Sequence, residues 1–119
     1  MDRSEKEALV AELKSAFEES AIVLVSRQSG MTVTEAQNLR ARMREAGAKH
    51  RVVKNRLVKI AAEGGEFDDI RDMLTGPTSI SYSDDPVGPA KALARFAKDI
   101  DKIEILGGAM DGKVLSAAE

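Results

Sequence analysis

The 119-residue sequence predicts an α/β (α+β) sandwich in which one mixed sheet of four to five strands packs against helices. Helical and strand patterns alternate along the chain, in the order helix, strand, helix, strand, helix, strand, helix, strand, strand. No internal repeat or long linker interrupts them. Because 119 residues with 43% apolar content suffice for one core but not for two, residues 1–119 are expected to form a single domain.

A helix and a buried strand are predicted at the start of the chain. Ser4 and Glu7 form a capping-box pair, which places the beginning of the first helix there. The side chains expected to face inward recur at helical spacing: Leu9, Leu13, Ala16 and Phe17. The run AIVLVS at 21–26 is apolar and rich in β-branched residues, so it predicts a strand that is buried on both faces.

A second helix follows a turn at Gly30. Its start is capped by one of two pairs, either Thr32 with Glu35 or Thr34 with Gln37. Its predicted inward stripe is Ala36, Leu39, Met43 and Ala46. Gly47 is expected to end the helix as a left-handed C-cap.

A strand and a third helix meet at Lys54 and Asn55. Residues 50–53 have strand propensity, and Asn55 is a good N-cap for a helix with Leu57, Ile60 and Ala61 inward and with Arg56 and Lys59 outward. The remaining predicted elements are a short helix over 67–74 after the break at Gly64-Gly65, a strand over 78–82, a helix that starts at Asp85-Pro86 with Ala90, Leu93, Ala94, Ala97 and Ile100 inward, a strand over 102–106 and, after a hairpin at Asp111-Gly112, a strand over 113–115.

Positive charge is concentrated in the middle of the chain. Residues 40–59 carry eight basic side chains against the single acid Glu45, which gives +7, whereas the other 99 residues hold ten basic and nineteen acidic groups. The eight are Arg40, Arg42, Arg44, Lys49, Arg51, Lys54, Arg56 and Lys59. Such a segment favours a polyphosphate partner, because each neutralised phosphate releases condensed counterions. The alternative is that arginines simply solvate two helix faces.

The junction at 54–56 is the strongest candidate for phosphate binding. A helix N-terminus presents unpaired N–H groups and a partial positive charge, and here Lys54 and Arg56 flank it. For Asn55 the alternative is a purely structural cap.

No active site is predicted. The chain has no cysteine, one histidine and no glycine-rich phosphate loop, so no metal ion and no cofactor is expected. The adjacent acids Asp68-Asp69 and Asp84-Asp85 each stand where a helix should begin, and capping explains them better than acid–base catalysis. No apolar run approaches a membrane span and no signal peptide opens the chain, which predicts a soluble, intracellular protein.

Three segments carry a family resemblance: MDRSEKEALVAELK at the start, GMTVTEAQNLRARMREAGAKHRVVKNRLVKIAAEG in the basic middle and LTGPTSISYSDDPVGPAKALARFAK further on. The sequence resembles the family of the tenth protein of the bacterial large ribosomal subunit, the stalk-base protein. The resemblance runs through these segments in order, over nearly the whole chain. Val53-Lys54-Asn55 and Gly76-Pro77-Thr78 are its most specific segments.

The resemblance implies a non-enzymatic, cytoplasmic ribosomal domain of ferredoxin-like architecture. It implies binding to 23S rRNA beside a neighbouring large-subunit protein, and a C-terminal helix that carries acidic stalk dimers. That helix is expected to be absent from residues 1–119. The sequence departs from the family at Ser29. Many members have a basic residue at this position, just before the glycine of the first loop, and the basic residue here is Arg27, two positions earlier.

The predicted RNA-binding residues combine the basic segment with the first loop. In order of rank they are Lys54, Asn55 and Arg56; Lys49, Arg51 and Lys59; Arg40 and Arg44; and then Arg27, Gln28, Gly30, Thr32 and Arg3. For Lys49 and Arg51 the alternative is an edge strand that uses charge to avoid pairing, and for Arg3 a plain surface charge.

Two other classes of function compete with this interpretation. A small basic DNA-binding regulator would use residues 34–59 as two basic helices, but residues 48–53 are too long and too β-prone for the short turn between such helices. A ferredoxin-like enzyme or ligand-binding module would need a catalytic constellation that the sequence lacks.

Overall fold

The predicted alternation of helices and strands is confirmed by the computed structural model, which describes residues 2–65, 67–85, 87–100, 102–110 and 113–116. The elements are α1 (Arg3–Glu19), β1 (Ile22–Gln28), α2 (Val33–Glu45), β2 (Lys49–Arg51), α3 (Asn55–Ala62), a 3-10 helix (Asp68–Met73), β3 (Thr78–Ser83), α4 (Gly88–Asp99), β4 (Ile103–Met110) and β5 (Lys113–Ser116). The predicted hairpin residues Asp111 and Gly112 lie outside the described residues, and the strands on either side of them, β4 and β5, pair antiparallel.

Within the described residues one sheet has the strand order β2-β3-β1-β4-β5. All its pairings are antiparallel, so the α/β sandwich is confirmed but the expected mixed strand direction is wrong. The mixed direction was expected because a helix that connects two strands often makes them parallel neighbours. Here another strand lies between the two connected strands: β3 lies between β1 and β2, and β1 lies between β3 and β4. This arrangement is the split βαβ pattern, which confirms the ferredoxin-like architecture.

Helices cover both faces of the sheet because β1 is apolar on both of its faces. Val23 and Val25 pack with α1, α3 and the 3-10 helix, whereas Ile22 and Leu24 pack with α2 and α4. All four side chains are at most 5% exposed. The prediction of a doubly buried first strand is therefore confirmed, and the protein has three layers.

The first helix begins earlier than predicted. Asp2 is its N-cap and its Oδ1 accepts from the backbone N–H of Glu5 at 2.9 Å, so the expected capping pair of Ser4 and Glu7 is wrong. The inward stripe is confirmed, with Leu13 and Phe17 buried and with Leu9 and Ala16 half-buried.

The second helix has the first of the two predicted caps. Thr32 Oγ1 accepts from the N–H of Glu35 at 3.1 Å, and Glu35 Oε1 accepts from the N–H of Thr32 at 2.9 Å. That N–H, and then Lys102 at 3.0 Å, lower the pKa of Glu35. Gly47 ends the helix with φ of +84°, as predicted, and donates to Arg44 O.

The third helix turns a different face inward than predicted. Leu57 and Ala61 are buried as expected, but Val58 takes the place of Ile60, which is 46% exposed. The strand before this helix is also shorter and earlier than predicted, over Lys49–Arg51 instead of 50–53.

The fourth helix begins at Gly88, later than predicted, and Pro86 lies outside the described residues. The proline of its first turn is Pro89. Leu93 is buried as predicted, but Phe96 replaces Ala94 in the core.

One acid of each pair, Asp68 or Asp85, has a structural role. Asp68 accepts from the N–H of Gly64 at 2.9 Å and then from Arg71 at 3.2 Å, and both contacts lower its pKa. Asp85 accepts from the N–H groups of Val87 and Gly88 ahead of α4, which lower its pKa in the same way. The side chain of Asp69 is outside the described residues.

The only histidine of the chain is buried under α2. His50 is 8% exposed; its Nε2 lies 3.2 Å from the Gln28 amide nitrogen and its Nδ1 lies 2.7 Å from Ser81 Oγ. Since an amide nitrogen only donates, Nε2 is the acceptor and Nδ1–H donates to the serine. Burial, and then the charge of Arg40, lower the pKa of His50 to about 4, so the ring is neutral at pH 7.

Strands β1 and β4 approach each other closely at Gly108. A Cβ atom there would overlap the carbonyl oxygen of Val23 and would lie 3.1 Å from Leu24 Cα. Both obstacles are backbone atoms of the central strand, so they cannot move aside without disturbing the sheet.

We expect Gly108→Ala to lower the free energy of unfolding by at least about 2 kcal/mol, because overpacking against backbone forces the strands apart. Gly65→Ala is the matched control: its nearest atom is Ala62 O at 3.8 Å and it should change stability by less than about 0.5 kcal/mol. Urea denaturation of both variants measures this. Equal stabilities would show that the β1–β4 spacing is not constrained at this position.

We expect His50 to make folding stability depend on pH between about 6.5 and 4. The folded pKa lies below the unfolded value, so the unfolded chain takes up the proton first, and stability present above pH 6.5 is lost as the pH falls toward 4. The loss attributable to His50 should approach about 3 kcal/mol. Urea midpoints of wild type and His50→Gln, measured from pH 7 to pH 4, test it, since carboxylate titration is common to both. Parallel curves would contradict the prediction.

Candidate nucleic-acid interface

One end of the sheet gathers three segments that are far apart in sequence. β1 ends there at Gln28, β3 begins there at Thr78, and β2 leads there into the first turn of α3. The register pairs Arg27 with Thr78, which places Arg27 beside the turn at Gly76. We call this group of Arg27, Lys54, Asn55, Arg56 and residues 75–78 the basic end.

Asn55 is not the N-cap of α3. The N-cap is Lys54, with no side-chain cap hydrogen bond, and Asn55 is the first helical residue. The Asn55 side chain instead donates from Nδ2 to Gly76 O at 2.9 Å and accepts from the hydroxyl of Thr78 through Oδ1. Its amide therefore ties the start of α3 to the turn before β3, and the predicted capping role is wrong.

Arg27 ties the same turn to β1. Its guanidinium donates to Thr75 O and Thr75 Oγ1, both at 3.4 Å. Gly76 has φ of +75°, and a Cβ atom there would lie 3.7 Å from Arg27 Nε. A glycine thus suits the turn on conformational grounds, and the guanidinium rests against it.

Ion pairing divides the predicted cations into two groups. Arg51 contacts Glu12 at 3.1 Å and Arg3 contacts Glu7 at 3.1 Å, so both already have an acidic partner. Among the described residues no carboxylate lies within 4 Å of the other predicted cations, which are Arg27, Arg40, Arg44, Lys49, Lys54, Arg56 and Lys59. This second group is available to an anionic partner.

The structure brings only some of these cations together. Lys54 and Arg56 lie at the basic end with Arg27, on segments that meet at this end of the sheet. Arg40 and Arg44 lie on α2, which covers the opposite face of the sheet from α3. Lys59 lines a small cleft with Asp68, Arg71 and Asp72 under α3. The predicted site is therefore divided between two faces.

Three first-loop residues have structural roles. Gln28 donates to His50, Thr32 caps α2, and Gly30 turns the chain with φ of +69°. The residues that the ranking missed are Thr75 and the segment Gly76-Pro77-Thr78. The resemblance already marked Gly76-Pro77-Thr78 as one of its most specific segments, and this was the signal that could have included them.

A helix-turn-helix arrangement is excluded by the layers. The basic helices α2 and α3 pack on opposite faces of the sheet and are separated by β2, so they cannot present a recognition helix braced by its neighbour. In the part of the chain that the structure describes, no cluster of His, Asp or Glu could hold a metal ion and no helix is long and apolar enough to cross a membrane.

Comparison with known proteins gives a consistent result. The family described as Ribosomal protein L10 matches residues 1–98. Large ribosomal subunit protein uL10 of Rhizorhabdus wittichii is 52% identical over 118 residues, covering 99% of this chain and 69% of that protein. The proteins of the same name from Erythrobacter litoralis and Beijerinckia indica are 50% and 51% identical, covering 99% and 98% of this chain and 69% and 67% of their own lengths.

We expect Asn55 and Thr78 to be energetically coupled. Asn55→Ala and Thr78→Val should each lower the free energy of unfolding by about 1–2 kcal/mol, since each leaves its partner without a hydrogen bond. The loss of unfolding free energy in the double variant should be smaller than the sum of the two single losses by about 0.5 kcal/mol or more. Urea denaturation of the four proteins measures the cycle. Strict additivity would mean that Asn55 acts on α3 alone, as a cap would.

Proposed function

Since the chain belongs to the ribosomal protein L10 family, we propose that its basic end binds 23S rRNA at the base of the ribosomal stalk. The observation that carries the proposal is the cluster of Arg27, Lys54 and Arg56, three cations without a carboxylate partner in the described ranges, on segments tied together by Asn55. An rRNA backbone supplies the phosphates that such a cluster lacks.

The chain is a protein of the large ribosomal subunit and works in the cytoplasm as part of the ribosome. Proteins of this family are structural and not enzymes, in agreement with the sequence-based prediction of no active site. The work of the domain is to fix the position of a folded RNA element.

The chemistry of the surface suits folded RNA better than single strands. Double-stranded and folded RNA is recognised through shape, phosphates and 2′-hydroxyls, for which arginine, lysine and amide groups suffice. All four aromatic side chains are at most 6% exposed: Phe17, Phe67, Tyr82 and Phe96. None of them offers a platform on which successive unpaired bases could stack.

Two protein partners complete the proposal. A neighbouring large-subunit protein shares the rRNA site, and the acidic stalk dimers are held by a separate amphipathic helix. Each described α-helix already packs an apolar face against the sheet. Among the residues whose side chains the structure describes, the exposed large apolar ones are Val33, Val52, Ile60 and Val87, which lie on different segments and form no stripe that could seat a dimer.

We expect the affinity for protein-free 23S rRNA to fall steeply with salt, with a log–log slope that reflects roughly four to eight phosphate contacts. Lys54→Ala and Arg56→Ala should each weaken binding by about 1–3 kcal/mol and reduce the slope by about 1. Filter binding at several salt concentrations measures both quantities. Lys91→Ala, on the exposed side of α4, is the control and should match wild type. If the affinity of the wild type does not change with salt concentration, the electrostatic basis of the proposal is wrong.

We expect residues 1–119 to bind the rRNA without retaining acidic stalk dimers in size-exclusion chromatography, because RNA binding and dimer anchoring use separate segments. Fusion of a family-like amphipathic helix should restore co-elution without changing RNA affinity. Co-elution of the unmodified domain would show that the α/β domain itself carries a dimer site.

A further inference from the structure

A small apolar cleft lies within the basic end. It has a volume of about 310 Å³ and is lined by residues 52–55 on one side and by Gly76, Pro77 and Thr78 on the other. We propose that this cleft receives one unpaired nucleotide of the bound RNA, whose base packs against Val52 and Pro77. The inference rests on the proposed rRNA-binding function and specifies which part of the RNA this site takes.

The exposure of Val52 is the first argument. Val52 is 60% exposed although it is a large apolar residue, and it stands between Arg51 and Lys54 in the basic segment. A surface that contacts only phosphates has no use for an apolar side chain at its centre. A nucleotide, by contrast, brings a flat ring with apolar faces and an anionic group together.

The charge around the cleft identifies the ligand as anionic. Lys54 belongs to its wall, Arg56 follows one residue beyond it, and the Arg27 guanidinium lies on the Gly76 side. None of the three has a carboxylate within 4 Å in the described part of the chain. An apolar cleft rimmed by cations complements a base with its phosphates, and a guanidinium plane is itself a surface on which unstacked bases pack in RNA complexes.

The walls of the cleft are held in place before any ligand binds. The Asn55 side chain joins one wall to the other through Gly76 O and the Thr78 hydroxyl, and Arg27 holds Thr75. Pro77 has a fixed φ, and its carbonyl accepts from the N–H of Gln28 at 3.0 Å. A preformed site loses less conformational freedom on binding, which favours selection of a nucleotide that is already unstacked.

The test separates apolar contact from charge. Val52→Thr keeps the shape of the side chain but makes it polar, and Val52→Ala removes most of it. Both should lower affinity for protein-free 23S rRNA about fivefold or more at every salt concentration, while the salt slope stays that of wild type. Val87→Thr is the matched control, because Val87 is 52% exposed but lies before α4, and it should bind as wild type does. Thermal melts establish that all three variants are folded.

The RNA side of the test uses 2′-hydroxyl acylation. One unpaired nucleotide should be protected by wild type and not by Val52→Ala. Removing the base of that nucleotide in a binding fragment should weaken wild type and leave Val52→Ala unaffected. Full affinity of both Val52 variants, or additive effects of the protein and RNA changes, would overturn the inference.

Two further outcomes have distinct meanings. If wild type itself does not bind the rRNA, the proposed function is wrong, and the assignment of a nucleotide to the cleft is wrong as well. If wild type binds but polyglutamate competes for the site, and this competition is lost in Val52→Ala, the cleft accepts acidic peptide and the nucleotide assignment is wrong.

Discussion

Strand β1 is the element on which the rest of the structure depends. It pairs with β3 on one side and β4 on the other, and its alternating side chains supply the centres of two separate cores, Val23 and Val25 for one and Ile22 and Leu24 for the other. The register of this strand is fixed by both cores, since a shift by one residue would exchange its two faces and place each pair of side chains in the wrong core. The glycine at 108 belongs to the same constraint, because it lets β4 come close to β1.

The basic end follows from that arrangement. β1 and β3 must be neighbours for Arg27 to reach Thr75, and β3 must pair with β2 for α3 to start beside Gly76. The local electrostatics thus depend on the pairing of a sheet whose central strand is apolar over residues 22–25. Four acidic groups are used elsewhere, in caps and turns: Asp2, Glu35, Asp68 and Asp85.

The features that could be predicted from the sequence are those whose partners lie within one helical turn or one strand. The capping box of Thr32 and Glu35, the C-cap at Gly47 and the doubly buried first strand all depend on local patterns. The role of Asn55 could not be predicted, because Gly76 and Thr78 come within reach only after β2 and β3 have paired. The inward face of α3 was misassigned because Val58 and Ile60 are equally apolar, so tertiary packing decides between them. Arg44 and Lys54 were grouped by closeness in sequence, although the sheet lies between their helices.

The double pairing of β1 has a consequence for the order of assembly. Ile22 pairs with Ser83 and with Met110, so the central strand is synthesised long before either of its neighbours. Closing such long loops is entropically costly, and topologies dominated by distant pairings fold more slowly than helical bundles. During translation the apolar strand β1 therefore leaves the ribosome with both of its edges unpaired. Unpaired apolar strands are prone to aggregation and are typical targets of chaperones. The basic end cannot form until β3 has left the exit tunnel, because the turn at residues 75–78 and the start of β3 belong to it.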